Sequence, residues 1–335
     1  MKKLLLISIS LLCLIWTGCK QQQQQQDNLV LAIFDTDMGP DYDDVGALTL
    51  LHAMADSGEV KILATLSSNM YANTVPCIEI INRYFGRPDI PLGAPRSGVN
   101  IVEQRFKDRE DYWVVTLPTQ YYHETKSAED APDAVSVYRK VLSAQPDESV
   151  NIITVGFLTN LAALLQSQPD EYSDLDGMEL VKKKVKQLIS MAGSFPEGWE
   201  FNVCTDSTAS VTVFEQWPTP VLLSGFEIGV GILTGKKLIA SDITDSPVKD
   251  VYSMGLSVDV DGRSSWDHTA VLVGVRGCSE YFGAVKGRMI VAPSGRNTWE
   301  DDPNGPHERL VWKMPKEEVT GIIEDLMMHQ PVGLK

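Results

Sequence analysis

The sequence predicts an α/β protein: one doubly wound, mostly parallel, Rossmann-like open sheet. Three observations predict it. Short apolar runs alternate with stretches of helical spacing along most of the 335 residues. The residues able to do chemistry collect just after the apolar runs, where ligands bind in open α/β sheets. Composition is ordinary for a globular chain of this length, 43% hydrophobic and 22% charged.

The first apolar run of the globular part, Leu29–Phe34, reads as a buried strand, and Ala47-Leu48, Leu50-Leu51 and Met54 mark the helix after it. Between them Asp35, Asp37, Asp41, Asp43 and Asp44 crowd a turn tightened by Gly39-Pro40. Such a turn is either solvated, with acids near a helix N-terminus, or joined by a cation. Five acids at a strand end favour the cation, and hard oxygen donors suit Ca²⁺ or Mg²⁺ rather than Zn²⁺.

Val60–Ser68 is a second strand ending at Asn69, followed by a helix over Asn73–Phe85 and a short strand at Ile90–Gly93. Arg96–Pro132 is polar, holds Tyr112, Trp113, Tyr121 and Tyr122, and is expected as a long loop, either a lid or plain surface. Alternation resumes with a helix at Ala134–Ser143, a strand at Val150–Val155 and a helix at Leu158–Gln166. The basic run Lys182–Lys186 reads as a solvated face before the strand Gln187–Ala192. A helix at Thr205–Gln216 and a strand at Pro220–Ser224 come next, with Gly225-Phe-Glu-Ile-Gly229 at the strand end. Val251–Trp266 is expected to be irregular, with Asp261 and Arg263 on a movable rim. A helix at Asp267–Val275, one or two strands within Tyr281–Pro293 and a helix at Lys316–Met328 complete the chain.

The N-terminus gives an address. Lys2 and Lys3 precede an apolar run from Leu4 to Trp16, too short for a membrane span but laid out as an export signal. Thr17-Gly18-Cys19 resembles a lipoprotein cleavage box, so residues 1–18 are expected to be removed and Cys19 lipidated. Residues 19–27, largely Gln21–Gln26, then form a tether to a single domain over 28–335. The expected product is exported and held at a membrane only through its lipid. The formal charge of −16 excludes nucleic acid as a natural partner. Past Cys19, only Cys77, Cys204 and Cys278 remain, without CxxC spacing, which excludes a disulfide framework or a zinc site.

Besides the acidic turn, the strand ends carry Ser67-Ser-Asn69, Val155-Gly156, Gly193–Asn202 and Trp266-Asp267. In this order the motifs DTDMGPDYDD, Asn69, VGFLTN over 155–160, Glu200-Phe-Asn202 and Trp266-Asp267 resemble those of the inosine–uridine-preferring nucleoside hydrolase family. The resemblance runs from Leu29 to the closing helix. It implies hydrolysis of an N-ribosidic bond with Ca²⁺ held by Asp37, Asp44, the Val155 carbonyl and Asp267. It further implies Asp43 as general base, with Asp41 competing because the turn is two residues longer than the family's. Asn69, Glu200 and Asn202 would hold the ribose, with Ser194 in place of the family's further substrate Asn. Trp266 stands where many members have a proton-donating His, and it resembles the purine-preferring branch, which stacks the base. His268 is a minor candidate for the acid. A nucleoside or other N-riboside is the expected ligand, and a homo-oligomer the expected assembly. The rival readings are a calcium-dependent binding lipoprotein without catalysis, and a phosphohydrolase built on Asp35-x-Asp37, which Gly39 disfavours.

Overall fold

The computed structural model describes residues 29–102 and 108–333; the export segment, Cys19 and the glutamine tether lie outside them. The strands are β1 (Val30–Thr36), β2 (Val60–Ser67), β3 (Leu92–Gly93), β4 (Val150–Thr154), β5 (Val185–Met191), β6 (Glu197–Gly198), β7 (Val221–Ser224), β8 (Leu233–Thr234), β9 (Arg263–Ser264), β10 (Phe282–Val291), β11 (Asn297–Asp301) and β12 (His307–Trp312). Among the described residues ten of these form one sheet in the order β3-β2-β1-β4-β5-β7-β12-β10-β11-β6. Pairing is parallel from β3 through β12 and antiparallel beyond. From β1 the chain first adds strands on one side, β2 and β3, and then crosses to β4 on the other. The crevice of this open sheet therefore lies at the carboxyl ends of β1 and β4.

The helices are α1 (Asp43–Asp56), α2 (Thr74–Tyr84), α3 (Trp113–Gln120), α4 (Ala134–Ser143), α5 (Thr159–Leu165), α6 (Gly177–Lys184), α7 (Phe201–Thr205), α8 (Ser207–Gln216), α9 (Phe226–Gly229), α10 (Lys236–Ile239), α11 (Pro247–Gly255), α12 (Trp266–Arg276) and α13 (Lys316–Met327). They cover both sheet faces, and the period of two in the strands divides the core accordingly. Ala32 and Phe34 of β1, Ile153 of β4 and Ile189 of β5 pack with α1, α12 and α13. Their neighbours Ile33, Ile152 and Leu188 pack on the other face with α4, α5, α6 and α8. Strands buried on both faces are why these segments read as continuous apolar runs.

The departures from expectation have local causes. The stretch expected as a loop contains α3, whose Trp113 is buried in the main core. The stretch expected as irregular begins inside α11, a helix opened ahead of it by Ser246, whose side chain accepts from the Lys249 N–H, with Pro247 in the first turn. That Ser-Pro start is a legible helix signal. Lys182–Lys184 close α6, favourable at the negative end of its dipole. The helix expected over 205–216 breaks at Asp206, whose carboxylate accepts from the Ala209 N–H. The strands β11 and β12, which flank β10, escape the sequence because their exposed faces carry charge, as in Asn297-Thr-Trp-Glu-Asp301.

Candidate active site

The acidic turn leaves β1 at the crevice and enters α1, so Asp43 and Asp44 occupy the positive first turn of that helix. Asp267 occupies the first turn of α12, which packs against α1. Two helix N-termini thus converge on the carboxylates. The turn fits tightly against the end of β4: a Cβ on Gly156 would lie 2.2 Å from the Asp37 nitrogen, so only glycine is accommodated there.

One cleft brings together Asp37, Asp41, Asp43, Val155, Glu200, Asn202, Trp266 and Asp267. Asp44 is fully buried beneath it, accepting from the Thr36 hydroxyl. Its second carboxylate oxygen, Oδ2, is buried without a hydrogen-bond partner among the described residues. Burial raises Asp37 well above the usual carboxylate range, and Asp44 and Asp41 add repulsion. Burial likewise pushes Asp44 up to about 7 and raises Asp267, with the surrounding aspartates adding to both. Among the described residues no three His, Cys, Asp or Glu side chains are drawn close enough to form a ready metal cage. The donor chemistry nevertheless fits a hard cation: buried, mutually repelling carboxylates, an orphaned oxygen and the carbonyl of Val155.

Asp43 and Asp41 have different surroundings. Asp43 Oδ1 accepts from Arg263 Nε at 3.1 Å and Nη2 at 2.9 Å, and Oδ2 from the N–H groups of Trp266 and Asp267 at 3.1 and 3.3 Å. Both its oxygens are engaged, one fastening β9 and the other α12 to the turn. The Asp41 side chain also meets Arg263 but is 39% exposed to the cleft. Loss of water around it pushes it up to about 7, with Asp43 adding repulsion, against the pull of Arg263. Arg263 is therefore no rim residue: its guanidinium is mostly buried, joined to Asp41 and Asp43 and packed over the Tyr42 and Trp266 rings. Asp261 does stay outside, 87% exposed.

Glu200 caps α7 and accepts from the N–H groups of Gly193, Asn202 and Val203. Burial lifts it to about 6 while those amides pull it down. Asn202 Nδ2 donates to the Val155 carbonyl at 3.0 Å, holding the oxygen expected to face a cation. Asn69 is buried, donates to the Asp37 carbonyl at 3.0 Å and does not line the cleft. Ser194 is also outside the cleft lining, its backbone paired with the side chain of Asn297. His268 is fully buried against the Tyr252 hydroxyl, and burial lowers it to about 3. Trp266 is half-buried; its indole N–H donates to the Phe226 carbonyl at 3.0 Å, and its ring stacks on Phe226 with centroids 5.3 Å apart.

The sequence reading gave no site role to Phe226, Phe201 and Met191, which also line the cleft. The position of Phe226 after an apolar strand was the available signal. It likewise left Asp35 and Asn160 without a task. Asp35 is buried, accepts from Tyr138 and from Asn160 Nδ2, and is pushed up to about 7 by burial. Asn160 also donates to the Ser67 carbonyl, so this pair ties the ends of β1 and β2 together.

A parallel sheet with a carboxylate-lined cleft at its switch point defines an α/β protein of the nucleoside hydrolase fold. Solved structures share it over 89% of this chain and 99% of theirs: a purine-preferring ribonucleoside hydrolase from Gardnerella vaginalis (TM-score 0.69, 17% identity) and an inosine–uridine preferring nucleoside hydrolase from Bacillus anthracis (TM-score 0.65, 17% identity). The chain belongs to the inosine–uridine preferring nucleoside hydrolase family, whose sequence model matches residues 32–293. An uncharacterised protein of Schizosaccharomyces pombe is 28% identical over 62% of this chain and 64% of its own length. A pyrimidine-specific ribonucleoside hydrolase of Salmonella typhi is 28% identical over 57% of this chain and 59% of its own. The chain thus spans about three fifths of the length of these relatives.

Proposed function

We propose that the protein hydrolyses the N-glycosidic bond of ribonucleosides, releasing free base and ribose, with Ca²⁺ in the cleft and a preference for purines. The observation that carries this reading is the cleft itself, where buried carboxylates from β1–α1 and α12 face an aromatic wall. Asp37, Asp44, Asp267 and the Val155 carbonyl would hold the ion. When bound, it supplies charge that orients sugar hydroxyls and makes water more acidic. Asp41, open to the cleft, takes the proton of the attacking water; Asp43 is fully engaged by Arg263 and α12. The carboxylates stabilise the positive charge that grows on the sugar as the base departs. Phe226 and Trp266 form the surface on which a purine stacks.

The test is release of reducing sugar from inosine, guanosine, adenosine, uridine and cytidine, with and without chelator. Chelator-sensitive turnover led by purines supports the reading. No turnover of any of the five, nor of a riboside whose base is a cation, in metal-loaded protein overturns it and favours a binding protein for N-ribosides. The N-terminal layout further supports an exported protein tethered through Cys19; radiolabelled palmitate incorporated by the wild type but not by Cys19→Ala tests that.

A further inference from the structure

Breaking a neutral nucleoside's C1′–N bond leaves negative charge on the base unless a proton arrives. Among the described residues, the cleft lining includes no Lys, Arg, His, Tyr or Cys side chain that could supply one. His268, behind α12, is fully buried and bound to Tyr252. The Trp266 N–H is committed to the Phe226 carbonyl and is no acid. The carboxylates have other partners: Glu200 is gripped by three amides, and Asp43 by Arg263 and two amides. What the cleft does offer is negative charge facing stacked aromatic rings, with Phe226 41% exposed. Carboxylates and aromatic faces together are the environment that holds an organic cation.

Building on the hydrolase reading above, we propose that the preferred substrates are N-ribosides whose base is already a cation, such as pyridinium or N7-alkylpurinium ribosides. Their base leaves without a proton donor. The water oxygen bonds to C1′ and its proton passes to Asp41. The electron pair of the C1′–N bond goes to the ring nitrogen and cancels its positive charge. Neutral base and ribose result, and no oxidant or further reactant is consumed. A protein of net charge −16 also draws such substrates towards the cleft.

The experiment compares kcat/KM for 7-methylguanosine with guanosine and for nicotinamide riboside with inosine, using metal-loaded full-length protein. Each uncatalysed rate is measured alongside. Inhibition by 1-methylnicotinamide is compared with that by nicotinamide. The expected result is an enzymatic preference for each cation of about 100-fold beyond the uncatalysed ratio, the scale at which a general acid ordinarily contributes. The charged inhibitor should bind about tenfold more tightly than the neutral one, and Phe226→Leu should narrow that gap. Guanosine and inosine turned over within about threefold of their cationic counterparts, after the same correction, would overturn the inference and leave the hydrolase reading standing. Turnover of none of the four would remove the hydrolase reading, while the inhibitor pair still decides whether the cleft selects cations.

Discussion

The Arg263 guanidinium donates through Nε and Nη2 to the single oxygen Oδ1 of Asp43, at 3.1 and 2.9 Å, while Oδ2 receives the first two amides of α12. One carboxylate therefore locks the acidic turn, the β9 segment and α12 together. Asp43→Ala should destabilise the fold by about 3 kcal/mol, because it leaves two helix amides without their acceptor and strips a buried guanidinium of one of its carboxylate partners. Urea denaturation monitored by circular dichroism measures this, and a loss below about 1 kcal/mol would show that the lock is dispensable.

Asp41 offers the contrast. Asp41→Asn should keep the urea midpoint within experimental scatter yet lower kcat by roughly 10²- to 10⁴-fold, the contribution expected of a general base. KM should change little. Retained turnover would move proton acceptance to Asp43, the other candidate in the turn, which the same assay on Asp43→Asn would register.

Metal removal should cost stability as well as activity. Asp37, Asp44 and Asp267 are buried and repel one another, so a cation binding the folded state alone raises its stability in proportion to the logarithm of its concentration. Differential scanning calorimetry with chelator should give a lower Tm than with millimolar Ca²⁺, and Mg²⁺ should restore less of it. A Tm indifferent to both ions would remove the cation from the acidic turn.

Away from the cleft, Glu79 of α2 pairs with Arg83 and accepts from the N–H groups of Glu124 and Thr125 at 2.8 Å. These partners outweigh burial and hold its carboxyl down at about 2, against an ordinary 4.5. A folded-state pKa below the unfolded one stabilises the protein above the unfolded value, and this is lost as pH falls from about 4.5 towards 2. Glu79→Gln should therefore destabilise at pH 7, and the gap in urea midpoints should shrink below pH 4.5 and close only near pH 2. A gap unchanged across that range would contradict the assignment.

The contact between α1 and α12 supplies a last prediction. A Cβ on Gly46 would lie 2.1 Å from His268 Nε2 and 2.2 Å from the Tyr252 hydroxyl, both fully buried. Gly46→Ala should cost about 2 kcal/mol or more despite the better helix propensity of alanine, because the two helices must separate. A rise in the thermal midpoint would show that the packing yields.

The sequence by itself determined the parallel sheet, because strands buried on both faces must be apolar throughout and the helices between them must carry one apolar stripe. It also determined where the chemistry gathers, since the acids of residues 35–44 follow β1 and Asp267 opens α12. Only the tertiary structure decided which partners those residues have. Asp43 and Asp41 are two positions apart and chemically identical, yet one is saturated by Arg263 and the α12 amides from more than two hundred residues away, while the other faces the cleft. Asn69 and Ser194, expected near the substrate, bond to the backbone of the acidic turn and to Asn297, partners that spacing along the chain does not announce. Phe226 follows an apolar strand, but its partner Trp266 came into view only where α12 packs beside the end of β7. The physical reason is the same in each case. Pattern along a chain reports burial and local geometry, whereas a donor's partner is set by whichever distant element packing brings within about 3 Å.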